Sequence, residues 1–345
     1  MRSKVEQTLN RIWYGDKKPG AFLGFLEHLY SFAFRLNRRV AGYREAKDLR
    51  DKPIIVVGNL TAGGAGKTPL VIKLCELGKA NGLRVGVVSR GYGRRSTGAI
   101  RVSADTNPRD VGDEPFLISA RCSVPVEVDV NRENAVRKLL SEVDIIISDD
   151  GLQRRQLPRV LEVCVTDQQR GFGNGRLLPA GPLREPASRL ESVDFVIEHQ
   201  RRGRGSMMPD GHSMRLEPGK ITELHGDRTI SFEEIRSSDT KIHAFAGIAR
   251  PERFFEMLEQ AGIKCETRPF PDHHRYQNSD FSEVAAGQMI LMTEKDAVKC
   301  RRLPLTNAWY IPVDAVLTER LENELVHKLK YVGRRAKFRS SGIKP

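Results

Sequence analysis

Long clean apolar runs are missing from this chain, as are the residues that would mark it as disulfide-stapled or zinc-bound. The most apolar stretch, Ala21 to Leu36, is broken by Glu27 and His28. It falls short of the ~20 residues that a membrane-spanning helix needs. Cysteine is sparse: Cys75, Cys122, Cys164, Cys265 and Cys300 are scattered, odd in number and without zinc-ligand spacing. That pattern excludes a disulfide framework and points to a reducing, cytosolic-side compartment. No secretory signal opens the chain and no internal repeat runs through it. Negative charge is also in short supply. Against 57 Lys and Arg stand 44 Asp and Glu, a net charge of +13. Such a surface attracts nucleic acid, anionic lipid or a polyanionic substrate. The remaining composition is that of a globular protein, and 345 residues suit two domains.

What is present is clearest at Ile54 to Thr68, IIVVGNLTAGGAGKT. The β-branched run Ile54 to Val57 reads as a buried strand, and Pro69 to Gly78 reads as a helix. Between them, Gly63, Gly64 and Gly66 let backbone N–H groups turn inward to cradle an anion, at the positive end of the helix. Lys67 is placed to reach the β- and γ-phosphates of a nucleotide, and Thr68 to hold Mg²⁺. The full phosphate loop is Thr61, Ala62, Gly63, Gly64, Ala65, Gly66, Lys67 and Thr68, with Thr61 where the pattern usually starts on glycine.

The first 45 residues carry a different signal. Trp13, Tyr14, Phe22, Phe25, Tyr30, Phe32 and Phe34 crowd together, followed by Arg35, Arg38, Arg39 and Arg44. Aromatic and basic anchors beside an apolar helix suit a helix lying in a bilayer interface. A helix packed on the protein core gives the same pattern, and both readings can hold on opposite faces.

Further along, Arg84 to Ser89, Val124 to Val128, Val143 to Ser148, Val160 to Thr166 and Val193 to Glu198 read as strands, with helical patterns such as Asn131 to Ser141 between them. This alternation predicts an α/β fold, a parallel sheet covered by helices. The expected boundaries are a membrane-associated segment at 1–45, a core at 46–205, a linker or hairpin at 206–240, a smaller α/β unit at 241–330, and a loose basic tail at 331–345.

Several charged groups fall at strand ends, where such folds bind ligands. Asp149 and Asp150 close an apolar strand and, with Gln153, read as a magnesium-side element opposite the phosphate loop. Asp113 and Glu114 supply two carboxylates at a helix start, where capping is the plainer explanation. Arg90 in SRGYGRR, and Arg184 beside Glu185 in the rigid loop PAGPLREP, suit anion recognition, with a solvated charged turn as the plainer alternative. Asp272-His273-His274 offers an Asp–His pair for proton transfer, and TEKD from Thr293 follows an apolar strand.

Taken in order, GNLTAGGAGKTP, SRGYGRR, GDEP, DDGLQ, PAGPLREP, DHH and MTEKDAVK resemble the tetraacyldisaccharide 4′-kinases, also called lipid A 4′-kinases. Leu152 is a mild departure, since the family usually has phenylalanine in DDGFQ. The resemblance implies a P-loop core joined by a β-hairpin linker to a smaller C-terminal α/β domain. It implies ATP and Mg²⁺, and transfer of the γ-phosphoryl group to the 4′-hydroxyl of a tetraacylated glucosamine disaccharide 1-phosphate. It implies a peripheral enzyme on the cytoplasmic face of a Gram-negative inner membrane. Its partners are then the lipid substrate and the anionic membrane surface, with no nucleic acid and no obligate protein partner. By the same resemblance Lys67, Asp113 and His273 are catalytic. Thr68, Glu114, Asp149, Asp150 and Gln153 lie near Mg²⁺ or the γ-phosphate, and Arg90, Arg184 and Glu185 near substrate. Two other classes remain open from the residues themselves: an NTPase that only hydrolyses nucleotide, and a nucleic-acid-binding protein prompted by the charge.

Overall fold

Ile54–Gly58 is buried at every position and has a parallel neighbour on each side, Ile145–Asp149 and Leu161–Asp167. A strand covered on both faces needs continuous apolar side chains, which IIVV supplies. The computed structural model describes residues 2–43, 46–94, 96–200 and 211–340. Across the first sheet the strands run Val313–Leu317, Ser213–Pro218, Phe195–His199, Leu161–Asp167, Ile54–Gly58, Ile145–Asp149, Val85–Ser89, Val126–Val128 and Ile100–Arg101. The interior pairings are parallel and only the two outermost are antiparallel. The expected parallel α/β core is therefore present. Helices Lys67–Ala80 and Arg132–Leu139 cover it, the second capped by Asn131, whose side chain accepts from the Glu133 and Asn134 amides.

A second sheet runs Thr229–Ile230, Ile221–Glu223, Ala308–Ile311, Met289–Thr293, Ile242–Ala246 and Glu266–Pro269, with helix Pro251–Gln260 against it. Its limits differ from those read in the sequence. Ser213–Pro218 lies in the first sheet, and the second begins at Ile221. The chain then returns: Val313–Leu317 pairs antiparallel with Ser213–Pro218. Two antiparallel strands therefore join the units, with the Gly219 amide donating to the Pro312 carbonyl (2.9 Å) at the crossing point. Residues 206–210 of the linker or hairpin expected at 206–240 lie outside the described residues.

The last helix, Glu319–Ser340, also belongs to the first unit. Leu321, Leu325 and Leu329 repeat every four residues and are fully buried beside Leu70 and Leu74 of the helix after the phosphate loop. Lys73 and Glu322 pair at 3.0 Å on the same seam. The tail expected to be loose from residue 331 is helical to Ser340. Val332 is buried, and Gly333 lies so close to Leu83 that a Cβ would sit 2.4 Å from it.

At the N-terminus, helices Arg2–Tyr14 and Ala21–Tyr43 rest on the segment 174–184. Trp13 Nε1 donates to the Pro179 carbonyl (2.9 Å) and Tyr30 Oη to the Arg184 carbonyl (2.8 Å). Glu27 accepts from Arg176 Nε (2.8 Å) and the Leu177 amide (2.9 Å). The opposite face is bare. Phe22, Phe25, Leu29, Phe32, Leu36 and Val40 are spaced as one helical stripe, and Phe22 and Phe32 are 71% and 69% exposed. The packing reading holds on one face, and the other face is an exposed apolar stripe. Among the described residues no helix is long and apolar enough to cross a membrane.

Candidate active site

The phosphate loop is shaped by its glycines and by Asn59. Gly63 and Gly66 have φ of 105° and 90°, a region open mainly to glycine. A Cβ at Gly66 would meet Met214 and His199 within 3.2 Å. Asn59 is fully buried. Its Nδ2 donates to the Thr61 carbonyl (2.7 Å), and its Oδ1 accepts from Lys67 Nζ (2.9 Å). Thr61, where a glycine is usual, makes an isolated bridge to Leu183, and the Ala62 amide donates to the Pro182 carbonyl (2.8 Å). The PAGPLREP segment thus braces the loop from behind. Thr68 follows Lys67 in the first turn of its helix.

Asp149 and Asp150 end the neighbouring strand, with Asp149 in register with Val57. They have opposite environments. Asp149 is 5% exposed and its Oδ1 has no hydrogen-bond partner. Burial, reinforced by the Asp150 charge, pushes its pKa up to about 6. Burial also acts to raise Asp150, but Lys67 at 3.1 Å and Arg184 at 3.0 Å outweigh it and hold that carboxyl below the usual range. Asp150 and His273 are two of the four non-glycine residues with positive φ among the described residues, at 49° and 59°. Backbone strain of this kind collects at functional sites.

Across the cleft, Asp113 Oδ2 lies 3.0 Å from His273 Nδ1. Asp113 opens helix Asp113–Cys122 directly after Gly112, which packs on the backbone of Gly91. His273 comes from the second unit. Its hydrogen bond with Asp113 raises its pKa against the opposing effect of burial. His274 turns away to Asp280 (3.0 Å), so the pairing involves His273 alone. Glu114, expected near the metal, is ion-paired with Lys295 at 2.7 Å, and Lys295 also reaches Asp272 (3.3 Å). Burial acts to raise Glu114, and Lys295 overcomes it.

These groups line a cleft of about 2730 Å³ between the two sheets: the loop from Ala62 to Thr68, Asp113, Glu114, Asp149, Asp150, Arg184 and His273. That exceeds the ~300–1,000 Å³ of ordinary ligand pockets and has room for two substrates. Arg90 is exposed and Gln153 half-buried, and neither lines the cleft. Glu185 is 1% exposed, accepts from Gln153 Nε2 (3.0 Å), and sits beside Arg155 (3.5 Å) and Arg189 (3.6 Å). It supports Gln153 from below, while Arg184 faces the cleft.

Other residues of the site escaped the sequence reading. Asn59 is one. Arg250 and Arg253, at the start of a helix in the second unit, both bond Asp167 beside the phosphate loop, Arg253 at 3.0 Å. Asp167 ends an apolar strand next to Ile54–Gly58, the same signal that singled out Asp149. His199 packs on Gly66, and burial, reinforced by Arg253, holds its imidazole down at about 4.

The arrangement fits a nucleotide with a divalent cation. The loop offers backbone N–H groups, a helix N-terminus and Lys67 to phosphate. Asp149 Oδ1 is a buried acceptor still lacking a partner. Among the described residues no three His, Cys, Asp or Glu side chains cluster as a metal site. A cation here would take most ligands from phosphate and water, as Mg²⁺ does. Ionising Asp149 without a cation costs the fold roughly 3 kcal/mol, because the folded state binds its proton more tightly. That cost is absent below the unfolded pKa of ~4 and complete above pH 6. Asp149→Asn is therefore expected to raise the Tm of the ligand-free protein at pH 7.5 while removing activity; a lower Tm would show that the Asp149 carboxylate stabilises the fold.

Comparison with known proteins gives one family. The sequence profile of LpxK, tetraacyldisaccharide-1-P 4′-kinase, matches residues 20–330. The tetraacyldisaccharide 4′-kinase of Alcanivorax borkumensis is 44% identical over 327 residues, covering 94% of this chain and 98% of its own. That of Haemophilus influenzae is 48% identical over 272 residues, covering 78% and 80%. Among solved structures, LpxK from Aquifex aeolicus in complex with ATP superposes with a TM-score of 0.72 at 25% identity, over 88% of this chain and 97% of that one.

Proposed function

This chain belongs to the tetraacyldisaccharide-1-P 4′-kinase family, and we propose that its cleft transfers the γ-phosphoryl group of ATP to the 4′-hydroxyl of a tetraacylated glucosamine disaccharide 1-phosphate, a step of lipid A biosynthesis. The Asp113–His273 pair carries the reading. A nucleotidase needs only water at the phosphate loop. A kinase needs a base aimed at an acceptor hydroxyl, and the contact between Asp113 and His273, from different units, supports that role.

In this reading His273 donates its Nδ1–H to Asp113 Oδ2, which leaves Nε2 with a lone pair for the acceptor proton. Asp113 orients the ring and stabilises the imidazolium that forms. Lys67, the loop amides and the helix N-terminus hold the phosphates in line and neutralise charge as the bond to the leaving oxygen breaks. Mg²⁺, when bound, would supply further neutralisation of phosphate charge. Thr68, Asp149 and Asp150 are the residues placed to hold it or its waters. Arg184 fixes Asp150, and Glu185 fixes Gln153. Because Asp113 and His273 lie on different units and already meet across the cleft, opening of the cleft would part them and admit water. The reading predicts a phosphate monoester on the 4′ oxygen, which ³¹P–¹H correlation NMR of the product identifies. ATP consumed with only inorganic phosphate released would favour the NTPase reading instead.

The acceptor is a lipid, and the bare stripe on Ala21–Tyr43 gives the enzyme a way to reach it. We place this helix in the cytoplasmic face of a Gram-negative inner membrane, with Arg35, Arg38 and Arg39 toward anionic headgroups. Its polar face remains bonded to the segment that braces the phosphate loop. Phe22→Ser with Phe25→Ser and Phe32→Ser is expected to lower partitioning onto anionic vesicles at least tenfold, or about 1.4 kcal/mol, without changing Tm. Unchanged partitioning would remove the stripe from membrane contact.

A further inference from the structure

Of the arginines lining the cleft, Arg170 stands over the Tyr14 ring, 4.6 Å from its centre, and the others fall into two sets. Arg184, Arg250 and Arg253 are each paired with a carboxylate, Asp150 or Asp167. Arg109, Arg275, Arg301 and Arg302 line the same cleft and are exposed, and no ion pair is found for any of them among the described residues.

Sequence and contacts bring this second set to the Asp113–His273 pair. Arg109 lies on the short helix Pro108–Val111 that leads through Gly112 into Asp113. Arg275 follows His273 closely in the chain. The Arg301 guanidinium stands 5.8 Å from the centre of the Phe116 ring, and Phe116 lies one helical turn beyond Asp113 on the same face. Arg302 Nη2 donates to the Asp105 carbonyl (3.0 Å), in the loop that enters the helix of Arg109. Guanidiniums that have no ion-pair partner suit a planar, bidentate oxyanion. The transferred phosphoryl group has its own partners in Lys67 and the phosphate loop. An uncharged sugar would leave this set unmatched.

We propose that Arg109, Arg275, Arg301 and Arg302 form a subsite for the phosphate monoester that the acceptor already carries, on the sugar that does not react. The inference rests on the kinase reading above. One end of the acceptor is then held by charge while the 4′-hydroxyl is presented to His273. The second phosphate becomes a recognition element as well as part of the product.

The test compares a tetraacyl disaccharide with and without its 1-phosphate, in neutral detergent micelles free of anionic lipid. Wild type is set beside Arg301→Gln with Arg302→Gln, and beside Arg109→Gln. All three positions are exposed, and thermal melting checks that the fold is kept. Wild type is expected to favour the phosphorylated acceptor at least tenfold in kcat/KM. The variants are expected to lose at least tenfold on that acceptor, mainly through KM, and less than twofold on the dephosphorylated one, with KM for ATP unchanged. Equal losses on both acceptors, a rise only in KM for ATP, or no loss at all would each overturn the subsite. A wild type that hydrolyses ATP but phosphorylates neither acceptor would overturn the kinase reading, and the subsite with it.

Discussion

Lys67→Ala is expected to fold like the wild type and to lose at least about 10²–10³ in kcat, the scale seen when one preorganised donor to a transition-state oxyanion is removed. The side chain is 14% exposed, and its partners are polar: Asn59 Oδ1 and Asp150. No apolar cavity opens when it is cut back. Asp150 keeps Arg184 at 3.0 Å, so its charge does not become unpaired. The loss should fall on the chemical step, because the ammonium follows the charge that develops on the transferred group. Lys67→Arg should not rescue, since a planar fork cannot replace a point charge between two fixed acceptors. Near-normal turnover in a steady-state assay would take Lys67 out of the mechanism.

His273→Gln is the second large effect expected, a fall in kcat of about 10²–10⁴, the range for loss of a positioned general base. The pH profile gives the sharper signature. Asp113 raises the His273 pKa above its ordinary 6.5. A base must be neutral to accept a proton, so wild-type kcat should climb as pH rises through that raised pKa. Asp113→Asn removes the carboxylate, so the acid limb should move to lower pH while the plateau drops. His273→Gln should abolish the limb. His274→Gln should leave it in place, since that ring is bonded to Asp280. An unmoved limb in Asp113→Asn would separate the two residues.

Both predictions use residues named from the sequence: His273 through the family resemblance, and Lys67 for a local reason. A β-branched run, three glycines and Lys-Thr at a helix start specify their own geometry over a few residues. Apolar strands that end in acid announce Asp149 in the same way. What stayed hidden depends on contacts distant in sequence. Neither DHH nor GDEP by itself says that Asp113 meets His273; only the family resemblance implies that pair. A left-handed His273 turns that ring to Asp113, and His274 goes to its neighbour Asp280 instead. Glu114 reads as a metal-side carboxylate until Lys295 arrives from the other unit. Asp167 waits for Arg250 and Arg253 in the same manner. The unit boundary was misplaced for a related reason. Val313–Leu317 alternates in burial as any edge strand does, and only its pairing with Ser213–Pro218 assigns it to the first sheet. The basic composition of the last residues hid a helix held by Leu321, Leu325, Leu329 and Val332.

The account stands on phosphoryl transfer to a lipid hydroxyl at the phosphate loop. Its most direct test follows γ-labelled ATP with tetraacyl disaccharide 1-phosphate in mixed micelles, wild type beside Lys67→Ala. The expected result is label in the lipid with wild type only, one phosphate per ATP consumed. ATP consumed with no label in the lipid, or equal labelling by the variant, would contradict it.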